Sequence, residues 1–337
     1  MVSHKFRLLS LAALAVLATT ACSSGEQQSS AGGGAALSGD VKVDGSSTVF
    51  PIGEAMAEEF QKSNSNVRVT VGVSGTGGGF KKFCAGETDI SQASRPIKSS
   101  EMELCEKNGV DYVELPVAYD AVSVVVNNAN DFATCLTTDQ LKTAWEEAAE
   151  GKVSNWNQVD SSFPNKPLAL YGPGTDSGTY DYFKEAIIGE GGTRGDFTAS
   201  EDDNIVVQGV ERNEGAMGFF GLAYLEENVG KLKPVAVKNS KGDCVNPSVE
   251  TARDGSYEPL SRPLFIYVAK SALEKPQVKA FAEYLVNPDN GKLVAEAGYI
   301  QLPDVLLPKV VERLNNQVVG TVFGGGSDVG VNLAEKL

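Results

Sequence analysis

Histidine is almost missing from this 337-residue chain: there is one, His4, inside an N-terminal stretch that reads as an export signal. Without an imidazole beyond it, hydrolases built on a Ser–His pair and metal enzymes built on His ligands are excluded. No Gly-x-Ser-x-Gly nucleophile elbow occurs. Ser74–Lys82 (SGTGGGFKK) has the glycines of a P-loop but not the Gly-Lys-Ser/Thr ending that reaches nucleotide phosphates and magnesium. Basic residues are also scarce, 29 Lys and Arg against 44 Asp and Glu, giving a formal charge of −15. That balance opposes nucleic-acid binding, which needs clustered cations. The five cysteines lack the paired short spacings of a zinc site. No catalytic residue, metal or cofactor is therefore expected.

What is present begins with Lys5 and Arg7, an apolar run over Leu8–Leu17 and small residues before Cys22. This is the order of an export signal and too short for a spanning helix. It resembles a bacterial lipoprotein signal, which implies that residues 1–21 are removed and that Cys22 carries a lipid anchor to the cell membrane, outside the cytoplasm. Residues 22–39, rich in Gly, Ser and Gln, suit a flexible tether. Cys84, Cys105, Cys135 and Cys244 remain, and an even number in an exported chain favours two disulfides, with three connectivities open. The pairing taken here is Cys84–Cys105 and Cys135–Cys244. In the chain-entropy picture the shorter loop is worth roughly 3 kcal/mol and the longer one roughly 4–5 kcal/mol.

Three times a Gly/Ser/Thr cluster follows a strand-like run and precedes a helix-like one. Gly45-Ser46-Ser47-Thr48 lies between Val41–Val43 and Ile52–Lys62, and Ser74–Gly79 lies between Val67–Val73 and Phe80–Cys84. Thr175-Asp176-Ser177-Gly178-Thr179 lies between Leu168–Tyr171 and Tyr180–Ile188. Each cluster sets hydroxyls and free backbone N–H groups at a helix N-terminus, where the dipole favours negative charge. Three convergent loops describe a socket for a tetrahedral oxyanion, although any one of them could be a simple helix cap. The acidic surface does not forbid an anion. Fixed dipoles and one or two cations dominate inside a closed cleft, and solvent screens distant carboxylates over about 8–10 Å.

Val67, Val69, Val71 and Val73 alternate with other residues as a half-buried strand would, and Ile52, Met56 and Phe60 recur as on an amphipathic helix. Continued β-α alternation over about 300 residues implies two α/β domains with largely parallel sheets. Tyr112–Asn127 and Leu260–Lys270 are extended apolar segments that read as two crossings between domains, a hinge that permits closure on a ligand. The Phe219-Phe220 pair reads as packing rather than ligand stacking.

In order along the chain, Asp44–Pro51 (DGSSTVFP), Ser74–Phe83 (SGTGGGFKKF), Asp89–Pro96 (DISQASRP), Gly172–Phe183 (GPGTDSGTYDYF), Gly215–Tyr224 (GAMGFFGLAY) and Gly320–Gly325 (GTVFGG) resemble the phosphate-binding proteins of ABC phosphate importers, the PstS family, and its SphX-like branch in particular. The resemblance implies a class II periplasmic-binding-protein fold, two α/β lobes joined by two hinge crossings. Lobe I takes residues 40–120 plus 263–337 and lobe II takes 121–262. It implies phosphate contacts from Ser47, Thr48 and the N–H groups around Val49 and Phe50, from Ser74 or Thr76, and from Ser177, Gly178 and Thr179. Two departures stand out. Arg95 occupies a position where the family pattern has an aspartate, and no arginine precedes Ser-Gly-Thr. Arg95 is then expected to be the cation facing phosphate, with Asp176, or secondly Asp44, accepting the phosphate proton. The implied role is capture of inorganic phosphate by a monomeric, lipid-anchored protein and delivery to ABC permease subunits. Sulfate or molybdate binding, phosphate sensing or scavenging without transport, and a phosphatase are the competing readings; the last lacks a nucleophile–base pair.

Overall fold

The stripe read from the sequence becomes helix α1, Phe50–Ser63, with Ile52, Met56 and Phe60 buried and Pro51 in the first turn, where a missing N–H costs no helical bond. The computed structural model describes residues 36–175, 177–326 and 331–337. Further helices in chain order are α2 (Gly75–Cys84), α3 (Ser99–Lys107), α4 (Thr138–Trp145), α5 (Trp156–Val159), α6 (Gly178–Phe183) and α7 (Asp203–Arg212). The strands are β1 (Gly39–Gly45), β2 (Val67–Val73), β3 (Ile90–Ala93), β4 (Tyr112–Asn127), β5 (Cys135–Leu136), β6 (Ala169–Gly172), β7 (Thr198–Ala199), β8 (Ala216–Gly221), β9 (Leu232–Pro234), β10 (Ala236–Lys238), β11 (Cys244–Val245), β12 (Ser261–Ala269) and β13 (Ile300–Gln301). The main sheet runs β2-β1-β3-β12-β4-β8-β6-β7, with β13 and β9 also on β4.

The strand β4 organises the fold. It is buried along its whole length, as its near-continuous apolar sequence requires. From Tyr112 to Ala121 it pairs with β12, and from Val122 to Asn127 with β8 and β9. Its change of partner coincides with the return of the chain, where the Val122 N–H donates to the Leu260 carbonyl at 2.9 Å. The β4–β12 ladder slips by one residue at Val117, beside Pro116, which has no N–H to offer. One core lies around β1, β3 and β12, with Phe60, Phe80 and Phe265 among its members. A second lies against the far half of β4, around Trp145, Trp156, Phe183 and Phe219. The fold is thus a two-lobed mixed α/β structure.

Several sequence expectations change. The sheets are mixed rather than largely parallel: β1 is parallel to β2 and β3, whereas β12 runs antiparallel to both β3 and β4. A returning hinge strand enters the sheet from the opposite end, which forces that direction. The β2 alternation also fades, since Val67 and Val69 are buried but Val73 is 52% exposed. There the strand leaves the core to reach the second glycine loop. Phe219 and Phe220 are both buried, and the Phe219 ring stacks on Phe183 at 3.9 Å between centroids, so they serve packing. Cys84 is bonded to Cys105 and Cys135 to Cys244, the pairing read from the sequence. The first ties α2 to α3, and the second ties β5 to β11, the two outer strands of a small sheet with β10 between them.

Candidate functional site

The first loop turns out of β1 through Gly45, whose φ of +147° and close approach to the Gln92 carbonyl leave no room for a Cβ. It delivers Ser47 and Thr48 to the start of α1, whose N-cap, Val49, offers no side-chain oxygen to the helix N–H groups. The second loop differs from expectation. Its glycine run is not a loop before a helix but the first turns of α2, which begins at Gly75. The reason is close packing: a methyl on Gly79 would lie 2.5 Å from the Gly45 Cα, so only glycine lets α2 rest on the first loop. The third loop starts α6 with Ser177 as N-cap, its Oγ accepting from the Thr179 N–H at 3.2 Å. That hydroxyl therefore caps its own helix in this state.

The first and third loops meet. A methyl on Gly178 would lie 3.0 Å from the Thr48 Cα and 3.1 Å from its Oγ1, and the Ser47 hydroxyl is 3.4 Å from the Asp181 carboxylate it donates to. Of the two candidates in the second cluster, Thr76 turns towards Ser94, with 3.1 Å between hydroxyl oxygens, and accepts from the Ser94 N–H at 3.2 Å. Ser74 instead donates to Asp44, whose other oxygen receives Lys82 at 2.7 Å. Asp44 is thus engaged within its own lobe. Asp176 lies outside the described residues, as do Cys22 and the signal segment.

Arg95 is half-buried, and both of its terminal nitrogens are engaged. Its Nη1 and Nη2 donate to the two Glu101 carboxylate oxygens at 2.9 and 2.8 Å, and Nη1 also reaches the Pro96 carbonyl at 3.1 Å. Burial works against the charge, but the paired bonds to Glu101 outweigh it and hold the guanidinium above its usual pKa.

Sequence reasoning missed a second arginine. Arg262, on the hinge strand β12, is only 7% exposed. Its Nη2 lies 3.3 Å from Thr48 Oγ1 and 3.5 Å from Asp120 Oδ2, and its Nη1 donates to Glu185 at 3.1 Å. Its guanidinium lies 3.6 Å from the centre of the Tyr182 ring. Burial pushes the Asp120 carboxyl upward, and Arg262 opposes that shift. Both arginines line one cavity of about 210 Å³ with Ser94, Tyr182, Glu185 and Ser261. That is several times the roughly 30 Å³ share of a water molecule in the liquid, room for a small hydrated anion. A signal for Arg262 was available: a charge inside the apolar run Leu260–Lys270 must be paired or used.

The first and third loops touch at Thr48 and Gly178, and Arg262 links Thr48 to an arginine-lined cavity that has no residue of the three clusters in its wall; with two strands joining the lobes, this is the arrangement of the two-lobed solute-binding class of α/β protein. Residues 29–289 match the PBP superfamily domain. The chain is 56% identical over 297 residues to protein SphX of Synechococcus elongatus, covering 88% of each chain. It is 43% identical over 267 residues to phosphate-binding protein PstS of Staphylococcus saprophyticus, covering 79% of this chain and 81% of that one. A crystal structure of a possible phosphate binding protein from Planctomyces limnophilus superposes with a TM-score of 0.80 at 46% identity, over 84% of this chain and 99% of that one. This chain belongs to the PBP superfamily and, within it, to the PstS family in its SphX-like branch.

Proposed function

We propose that this protein captures inorganic phosphate between its lobes and delivers it to an ABC permease, by binding and without catalysis. The observation that carries the reading is the apposition of Thr48 and Gly178, first loop to third, beside a cavity lined by Arg95 and Arg262. Phosphate oxygens would accept from the Ser47 and Thr48 hydroxyls, from N–H groups around Val49 and Phe50, from Thr76 and from Ser177–Thr179. Membership of a family whose relatives are named phosphate-binding proteins supports the choice of anion. Residues 40–120 plus 263–337 would move as one lobe and 121–262 as the other, closing about the crossings in β4 and β12, and the closed form is what a permease could recognise as loaded. We further propose that Cys22 anchors the exported chain to the outer face of the cell membrane and that the protein works as a monomer. No described helix is long and apolar enough to cross a membrane.

The test is isothermal titration with phosphate, arsenate, sulfate and molybdate. Phosphate should bind one-to-one and sulfate at least roughly 100-fold more weakly, about 2.7 kcal/mol. The distinction arises because phosphate at neutral pH keeps a proton to donate, whereas sulfate would set acceptors against acceptors. Comparable curves for phosphate and sulfate would end the assignment.

A further inference from the structure

The two arginines of the cavity are not equally committed. Arg95 has a carboxylate matched to its fork at 2.8 and 2.9 Å and a backbone carbonyl besides. Arg262 makes no such fit: its bonds are 3.1, 3.3 and 3.5 Å long and go to three different residues. Its Nε is buried and makes no hydrogen bond, although Asp120 Oδ2 stands 3.4 Å away, close enough for charge attraction but misaligned. Leaving a charged donor unpaired inside the protein is costly, so an under-bonded guanidinium at a cavity wall points to an acceptor still to come. The Glu185 carboxylate that holds Nη1 is 59% exposed, so water can take its place and it leaves at small cost. The guanidinium carbon lies over the Tyr182 ring, 3.6 Å from its centre.

We propose that Arg262 is a direct ligand of the captured anion, and that the anion displaces Glu185 from it while Asp120 keeps it oriented. This rests on the phosphate reading above and assigns that site its principal counter-charge. Arg262 stands where β4 and β12 join the lobes and already touches Thr48 on one side and Glu185 and Tyr182 on the other. A ligand bound there draws both sides onto one charge, which couples occupancy to closure.

The experiment is phosphate titration of the full exported chain and of Arg262→Gln, Arg262→Lys and Glu185→Gln, each also melted without ligand. Parent binding reads the phosphate assignment; the ratio of variant to parent reads Arg262. Arg262→Gln should weaken phosphate at least about 30-fold, and Arg262→Lys should recover only part of it, since lysine lacks the planar fork. Should the glutamine variant not fold, the lysine variant, which keeps charge and stem, carries the comparison. Glu185→Gln should tighten phosphate by about two- to five-fold, because it removes a competing anion; a purely structural Arg262 predicts no gain. A parent that takes up no phosphate overturns both proposals. A parent that binds while folded Arg262 variants bind within three-fold of it, or an unchanged or weakened Glu185→Gln, overturns the Arg262 proposal alone.

Discussion

Replacing Gly178 by alanine adds one methyl group at the point where the first and third loops touch. That carbon would sit 3.0 Å from the Thr48 Cα, 3.1 Å from its Oγ1 and 3.4 Å from its Cβ. Two of these partners are backbone or directly attached to it, so the neighbour cannot rotate away. Overpacking of this kind costs about 1–3 kcal/mol. The cost falls on the proposed closed form only, because in an open form the methyl faces the cleft. Gly178 begins α6 and has no left-handed φ, so alanine suits its backbone and stabilises a helical position by up to about 1 kcal/mol. Phosphate affinity should then fall by about 5- to 150-fold while the ligand-free melting temperature holds or rises. Titration calorimetry with melting curves in the absence of phosphate separates the two. Parent-like affinity in Gly178→Ala would refute loop apposition as the closed, ligand-holding state; a lowered ligand-free melting temperature would place the clash in the free protein instead.

The remaining predictions concern single contacts. Thr76→Val should weaken phosphate by about 1–3 kcal/mol by stranding its partner Ser94, whereas Ser74→Ala, whose hydroxyl serves Asp44, should bind within three-fold of the parent; the reverse order in titration would exchange their roles. Replacing Cys84 and Cys105 together by serine should cost about 2–5 kcal/mol of stability in denaturant unfolding and leave phosphate affinity within a few-fold, since the bond ties α2 to α3 behind the site. Burial pushes the Asp203 carboxyl up to about 6, with Asp202 and Glu201 adding like charge. The folded state then holds that proton more tightly than the unfolded chain, so this group lowers stability progressively as pH rises from about 4 to about 6. Asp203→Asn should therefore be more stable than the parent at pH 7 and lose that advantage near pH 4; an advantage independent of pH contradicts the assignment.

Much of this structure could be read before it was seen, for reasons that differ by element. Near-continuous apolar runs mark strands covered on both faces, so β4 occupies Tyr112–Asn127, the bounds of its sequence pattern. Periodicity marks faces, hence the buried Ile52, Met56 and Phe60 of α1. Contacts between distant segments leave no such trace. Nothing local distinguishes a glycine run that forms a loop from one that lets α2 lie against Gly45, and the two predict different starts for the helix. The Arg95–Glu101 pair spans only six residues, yet whether an arginine turns to a neighbouring glutamate or to a ligand depends on the far wall of the cavity. Asp120 and Arg262 carry a signal that the sequence does show. Each is a charge inside an apolar strand, and two such charges on adjacent strands must meet or be used.

The central claim is that one phosphate sits where the first and third loops meet, beside the start of α2. A crystal structure grown with phosphate tests it most directly, because it locates the anion rather than inferring it from affinity. The account predicts one phosphate per chain, with oxygens within about 3.2 Å of Thr48 Oγ1, the Thr179 N–H, Thr76 Oγ1 and an Arg262 nitrogen. An anion bound away from these groups, or a cavity holding only water at saturating phosphate, would contradict it.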